Sequence, residues 1–352
     1  MTIAATLDGL PPARASGAIA ALDLGTNNCR LLIARPRDEA FEVIDSFSRI
    51  VRLGEGIAQS GRLAERAMAR TIAALRICSR IMARHGSIEA RCVATEACRR
   101  AANGADFLIR VRRATGITLE VIHHDQEVRL ALLGCVPLID EDAEHVLLVD
   151  IGGGSTEILW LDRGGRRPGG VIRGAVSLPL GVVTLTEAHS ADPDAAAYEA
   201  MVREVRARLA PVETVYGLGG LFDNVRVQMI GTSGTVTTLA ALLLDLPRYD
   251  RRRIDGLTVG TEALEQVTQR LRGMSLMARA AHPCIGTGRA DLVIAGCAIL
   301  EAILGCWPVR RLRVADRGLR EGILHGLMGR SLERSAGISM TAAGGPLAAP
   351  PA

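Results

Sequence analysis

The stretch LDLGTNNCRLLI, residues 22–33, returns in altered form as VDIGGGSTEILW, residues 149–160. Each copy runs apolar, Asp, apolar, Gly, a few turn residues and a second apolar run, which is the pattern of strand, tight turn, strand. Asp23 aligns with Asp150, Gly25 with Gly152, and Thr26 and Asn27 with Gly153 and Gly154. The two copies lie about one domain length apart. Elsewhere short β-branched runs alternate with helical patterns. Leu63, Ala67, Thr71, Leu75 and Ser79 share one helical stripe, flanked by Met68, Ile72 and Cys78. The chain therefore reads as α/β, with two similar domains that each begin with a glycine hairpin.

A turn such as GGGS at Gly152–Ser155 lets backbone N–H groups converge on an anion, because glycine tolerates positive φ and close approach. One such turn is equally an ordinary hairpin connection. Two of them one domain apart point to a cleft whose walls grip the same phosphates. Asp23 and Asp150 end apolar strands just before their turns. A carboxylate there faces the mouth of the sheet and can hold Mg²⁺ or orient water, or else caps the turn. Ser155 and Thr156 could add hydroxyl donors.

Two acids, Glu127 and Glu157, are singled out near these turns. Phosphates repel a carboxylate, so an acid beside them is expected only where it accepts a proton from an attacking water; otherwise it is a solvated side chain. Arg99 follows a strand read over Arg91–Thr95 and is placed beside the first hairpin, where its fork could bind phosphate bidentately. Arg289 and Arg320 are candidates of the same kind. His123 and His124 precede a helix beginning near Asp125. As neighbours they point about 100° apart on a helix and make a poor chelate, so they read as a polar loop.

The 352-residue chain has a net charge of +4, and its basic residues are spread out with few aromatics between them, so no nucleic-acid groove is indicated. All 42 basic residues are arginine. Without lysine, neither a Walker-type phosphate loop nor a Schiff-base mechanism is available. No apolar run is long enough for a membrane span, and the first apolar stretch runs straight into Asp23, which is unlike a secretory leader. A cytoplasmic protein is expected. Eight cysteines without a CxxC pair read as reduced core thiols. Neither hairpin is a GxGxxG opening a helix, which excludes a dinucleotide-binding fingerprint.

The expected organisation is a flexible N-terminus over 1–17, a first domain over 18–124 joined by a C-terminal helix near 318–334, a second domain over 125–317, and a flexible tail over 335–352. Helices are expected over Asp125–Val136, at the junction, and over Arg289–Ala302 and Gly318–Met328. A further strand, from Val227, enters the GTSGT turn at Gly231.

Seven segments in order resemble the exopolyphosphatase and guanosine-pentaphosphate phosphohydrolase family, a branch of the actin-like, sugar-kinase and chaperone ATPase superfamily. They are ALDLGTNNCRLLI at Ala21, VATEACRRAANG at Val93, DQEVRLALLGCV at Asp125, LLVDIGGGSTEI at Leu147, SLPLGVVTL at Ser177, IGTSGTVTTLA at Ile230 and VADRGLREGIL at Val314. The resemblance implies two actin-like (ribonuclease H-like) domains with a phosphate-binding cleft between them. It implies Glu127 and Glu157 as the catalytic acids and phosphate contacts at Gly25, Thr26, Asn27, Arg99, Gly152, Gly153, Gly154, Ser155 and Arg289. It places Mg²⁺, or another divalent cation, near Asp23 and Asp150.

The implied substrates are inorganic polyphosphate or the 5′ end of guanosine pentaphosphate, with an ATP-dependent kinase and a non-catalytic phosphate sensor as rivals. Oligomeric state is left open, a homodimer being one option. Where the family often carries two adjacent acids, this chain has Gln126 before Glu127. It also stops short of the extra helical domain of long members, which puts properties resting on that domain in doubt.

Overall fold

In the computed structural model, which describes residues 17–38, 40–164, 169–222 and 226–340, the chain builds two mixed sheets. The first comprises β1 (Ala18–Leu24), β2 (Asn28–Arg37), β3 (Ala40–Ile50), β4 (Ile88–Ala94) and β5 (Glu120–Val121), in the order β3-β2-β1-β4-β5. The second comprises β6 (His145–Ile151), β7 (Thr156–Asp162), β8 (Gly170–Leu178), β9 (Val227–Thr232), β10 (Thr258–Gly260), β11 (Arg311–Ala315) and β12 (Ile338–Met340). Its order is β10-β11-β9-β6-β7-β8-β12.

The centre of the second sheet repeats the first. Hairpins β1/β2 and β6/β7 are antiparallel, while β1/β4 and β6/β9 are parallel. Both hairpins place their turns, Gly25–Asn27 and Gly152–Ser155, at the same end of the strand that leads into them. The sequence repeat is thus a repeat of topology, and it sets two tight turns at corresponding sheet mouths.

Seven helices matter for the site: α1 (Glu65–Arg84), α2 (Glu96–Arg100), α3 (His124–Cys135), α4 (Val182–Ala188), α5 (Ser233–Leu243), α6 (Val293–Cys306) and α7 (Leu319–Leu327). α1 buries Ala67, Met68, Thr71, Ile72, Leu75 and Cys78, the stripe expected from the spacing, against the first sheet. Each large apolar side chain so buried contributes about 1.5–3 kcal/mol. α6, apolar all round, is sunk in the core of the second half.

Two helices fill the junction. α7 sets Ile323, Leu324 and Leu327 against Ile19, Ala21, Leu32 and Val93 of the first sheet. α3 sets Val128, Ala131, Leu132 and Cys135 against Val146, Leu148, Leu159 and Leu161 of the second. They touch backbone to backbone: a Cβ on Gly322 would lie 1.9 Å from the Leu130 carbonyl oxygen, and one on Gly134 would lie 2.1 Å from that of Gly318. Only glycine permits that approach.

Two expectations need correction. The helix read from Arg289 starts at Val293, because residues 287–292 are wound as turns instead. The tail read as frayed from residue 335 is ordered at least to Met340. A short helix ends at Ala336, and β12 pairs in parallel with Gly170–Ile172 of β8. Buried Leu332, Ala336 and Ile338 fix this segment to the second core, a tertiary contact that a composition of small residues hides. Residues 1–16 and 341–352 of the expected flexible ends lie outside the described residues. No described helix is long and apolar enough to cross a membrane.

Candidate active site

The two hairpin turns press against each other. A Cβ on Gly153 would sit 3.1 Å from the Asn27 nitrogen and from Thr26 Cβ, and one on Gly154 would sit 2.6 Å from Thr26 Oγ1. Gly181, capping α4, lies under the second turn, where a Cβ would meet the Gly153 carbonyl carbon at 2.5 Å. None of Gly152, Gly153 and Gly154 has positive φ. These glycines are required for close approach rather than for backbone conformation.

Between the turns opens a cavity of about 690 Å³, lined by Asp23, Gly25, Thr26, Asn27, Glu127, Asp150, Gly152–Ser155, Glu157 and Arg289. The amides of Thr26, Asn27, Gly153 and Gly154 have no acceptor among the described residues, and the carboxamide oxygen assigned to Asn27 is buried without a partner. Unpaired amides of this kind at two facing turns form an anion cradle.

The third turn, at Thr232–Gly234, borders the same cavity. Ser233 adopts φ 78°, uncommon for a residue with a Cβ, and its hydroxyl donates to the Ile151 carbonyl. This strained turn brings the N-terminus of α5 to the cleft, where its dipole favours negative charge.

Two acids stand beside the cradle, Glu157 buried and Glu127 half-buried. Glu157 accepts hydrogen bonds at Oε1 from Ser155 Oγ at 2.6 Å and Ser177 Oγ at 2.9 Å. Burial and the neighbouring Asp150 charge push its carboxyl up to about 7. Burial, reinforced by repulsion from Glu157, holds Glu127 well above the usual carboxylate range.

Glu127 accepts at Oε2 from Arg99 Nη1 at 2.7 Å. Arg99 is consumed in this role. Its Nη1 also donates to the Ile122 carbonyl at 2.7 Å, and its Nη2 and Nε donate to Glu96 Oε2 at 3.0 and 3.3 Å. It stands behind Glu127 and is absent from the cavity lining among the described residues, although it was expected to touch phosphate directly. The hydroxyls expected to serve phosphate are likewise taken: Ser155 Oγ binds Glu157, and Thr156 Oγ1 donates to the Leu180 carbonyl at 2.8 Å. Ser155 keeps only its amide for an anion.

Asp23 and Asp150 both lie half-buried, lining the cavity. Burial raises both, against the pull of Arg30; for Asp150, to about 6, the Asp23 charge adds to the rise. Two half-buried, mutually repelling carboxylates offer the all-oxygen donors that a hard divalent cation takes, and they fit Mg²⁺. Arg30, Arg320 and Arg289 also line the cavity, and Arg289 donates to Thr238 Oγ1 at 3.2 Å.

A family model described as the Ppx/GppA phosphatase family matches residues 32–331. The chain is 33% identical over 327 residues to exopolyphosphatase 2 of Mycobacterium tuberculosis, covering 88% of this chain and 98% of that one. The chain belongs to the Ppx/GppA phosphatase family. The solved structure of the family member from Aquifex aeolicus superposes with a TM-score of 0.71 at 30% identity, covering 88% of this chain and 97% of that one. An exopolyphosphatase from Cytophaga hutchinsonii matches with a TM-score of 0.79 at 23% identity, covering 89% and 98%, a likeness of fold. The two repeated sheets are accordingly the two actin-like halves of a Ppx/GppA protein.

Sequence reasoning missed Glu96, Arg30, Ser177 and the ligand geometry at His124. Arg30 alone had a local signal, standing three residues past the turn just before the apolar run Leu31–Ala34.

Proposed function

We propose that the chain hydrolyses the terminal phosphoanhydride of inorganic polyphosphate, with the 5′-terminal phosphate of guanosine pentaphosphate as a second substrate. The observation that carries the reading is the placement of two carboxylates, buried Glu157 and half-buried Glu127, beside two facing turns with unpaired amides. The relative named an exopolyphosphatase supports polyphosphate first.

The turns bind the terminal phosphoryl oxygens through backbone N–H groups, whose preorganised dipoles meet the charge as it spreads in the transition state. Glu127 Oε1, free of protein donors, takes the proton of the attacking water, while Arg99 holds Oε2 in place. Ser155 and Ser177 fix the rotamer of Glu157, which orients the water from the other side. Asp23 and Asp150 would hold Mg²⁺, which when bound supplies neutralising charge to the phosphate oxygens.

Orthophosphate release from polyphosphate in the presence of Mg²⁺ tests the reading. Glu127→Gln should lower kcat by about 10²–10⁴-fold with the fold intact. Full activity in that variant would remove Glu127 from the mechanism, and transfer of phosphate to an acceptor instead of water would make the chain a kinase. A panel of polyphosphate lengths beside guanosine pentaphosphate and ATP ranks the substrates.

A further inference from the structure

At the hydrolytic end of the cleft an imidazole joins the two acids. One ligand atom each of His124, Glu127 and Glu157 lies within 4.8 Å of the others. Donors bound to one ion at 2.0–2.2 Å sit about 3–4.4 Å apart, so rotamer changes of well under 1 Å close this set on a cation.

The three groups are also unspent. Glu127 uses Oε2 for Arg99 and Glu157 uses Oε1 for Ser155 and Ser177, leaving one oxygen of each without a protein donor among the described residues. His124 Nδ1 is buried with no hydrogen-bond partner, and the ring's one aromatic contact is the edge of His123 at 5.2 Å. An orphaned buried ring nitrogen is costly unless something takes its lone pair.

We propose that His124, Glu127 and Glu157 form a binding site for a divalent transition-metal ion, Mn²⁺ or one of its class, through one imidazole nitrogen and two carboxylate oxygens. The donor set differs from the all-oxygen pair Asp23 and Asp150. An imidazole contributes little to Mg²⁺ and much to first-row transition ions. His124 and Glu127 stand at i and i+3 on α3, and so share one helix face.

Arg99 is the positive group nearest the site, and Glu96, 5% exposed, takes the opposite edge of its guanidinium at 3.0 Å.

The site shares its carboxylates with the proposed hydrolytic centre, but the test reads binding alone. Metal-stripped full-length protein is titrated with Mn²⁺, the free ion is followed by electron paramagnetic resonance, and the bound ion is examined for ¹⁴N spin-echo modulation. Wild type should bind Mn²⁺ with nitrogen modulation. His124→Ala should lose the modulation and bind at least about tenfold more weakly. His124→Asn, which keeps a polar side chain, repeats the measurement should the alanine variant unfold.

Absence of nitrogen modulation in wild type, or its persistence in the variants, overturns the proposal. Mg²⁺-supported phosphate release is measured on the same wild-type sample. Nitrogen-ligated Mn²⁺ without hydrolysis would leave this site standing and sink the hydrolase reading. Hydrolysis without it would do the reverse.

Discussion

Glu157 is where a single carboxyl links stability to function. Burial and the Asp150 charge push it up to about 7 in metal-free protein. An acid raised in this way binds more protons folded than unfolded between its ordinary value and about 7. Its contribution to stability is therefore full at low pH and disappears as pH climbs toward 7. In a chelator, wild type should lose thermal stability from about pH 5 to pH 8, and Glu157→Gln, neutral throughout, should show a flatter slope. Equal slopes in melts recorded across that range would mean the carboxyl is already ionised in the fold.

The same scale shows why some site residues could be read from the sequence and others could not. Glu157, Asp23 and Asp150 stand inside the repeated hairpins, where local pattern announces them. The work of Arg99 depends on Glu127, 28 positions along the chain, and on Glu96, whose burial no local pattern signals. His124 was judged against His123, its neighbour, whereas the partner at helical spacing is Glu127.

At the scale of elements, the segment after β3 reaches across the cleft. Arg52, at φ 47°, pairs with Asp291 at 2.8 Å just before α6, and the Gly56 amide donates to Glu187 Oε1 at 2.9 Å near the end of α4. These contacts tie the rim of one half to the other. A half-exposed ion pair is worth about 0.2–1 kcal/mol. Arg52→Ala should therefore raise KM for polyphosphate by roughly up to fivefold with kcat little changed, as steady-state kinetics can show. A fall in kcat at constant KM would mean the pair acts on the chemistry rather than on closure. Neither contact was legible in the sequence, since each joins residues more than a hundred positions apart.

For the molecule as a whole, the repeat carried most of the architecture: two hairpins of one pattern became two sheets of one order. The edge strand β12 was the exception, because three residues in a small-residue tail give no periodicity until a neighbouring strand offers its hydrogen bonds. The junction of α3 and α7 depends on the glycines where they touch. Gly322→Ala would drive a Cβ into the Leu130 carbonyl, and overpacking of this kind costs roughly 2–3 kcal/mol, measurable by urea denaturation. A variant as stable as wild type would show that the helices can separate without loss.

That crossing also has a mechanical meaning. Backbones in contact cannot slide past one another, so any swing of the two halves has to turn about the meeting of α3 and α7 as about an axle. Glu127 rides on α3 itself, seven residues or about 10 Å from Gly134, while the hairpin turns sit at the ends of their sheets. In such a swing Glu127 would travel least and the hairpin turns most. With the roles proposed for them, admission of substrate and acceptance of the proton would fall at different radii of one rotation, and the acid would not need re-aiming at each turnover.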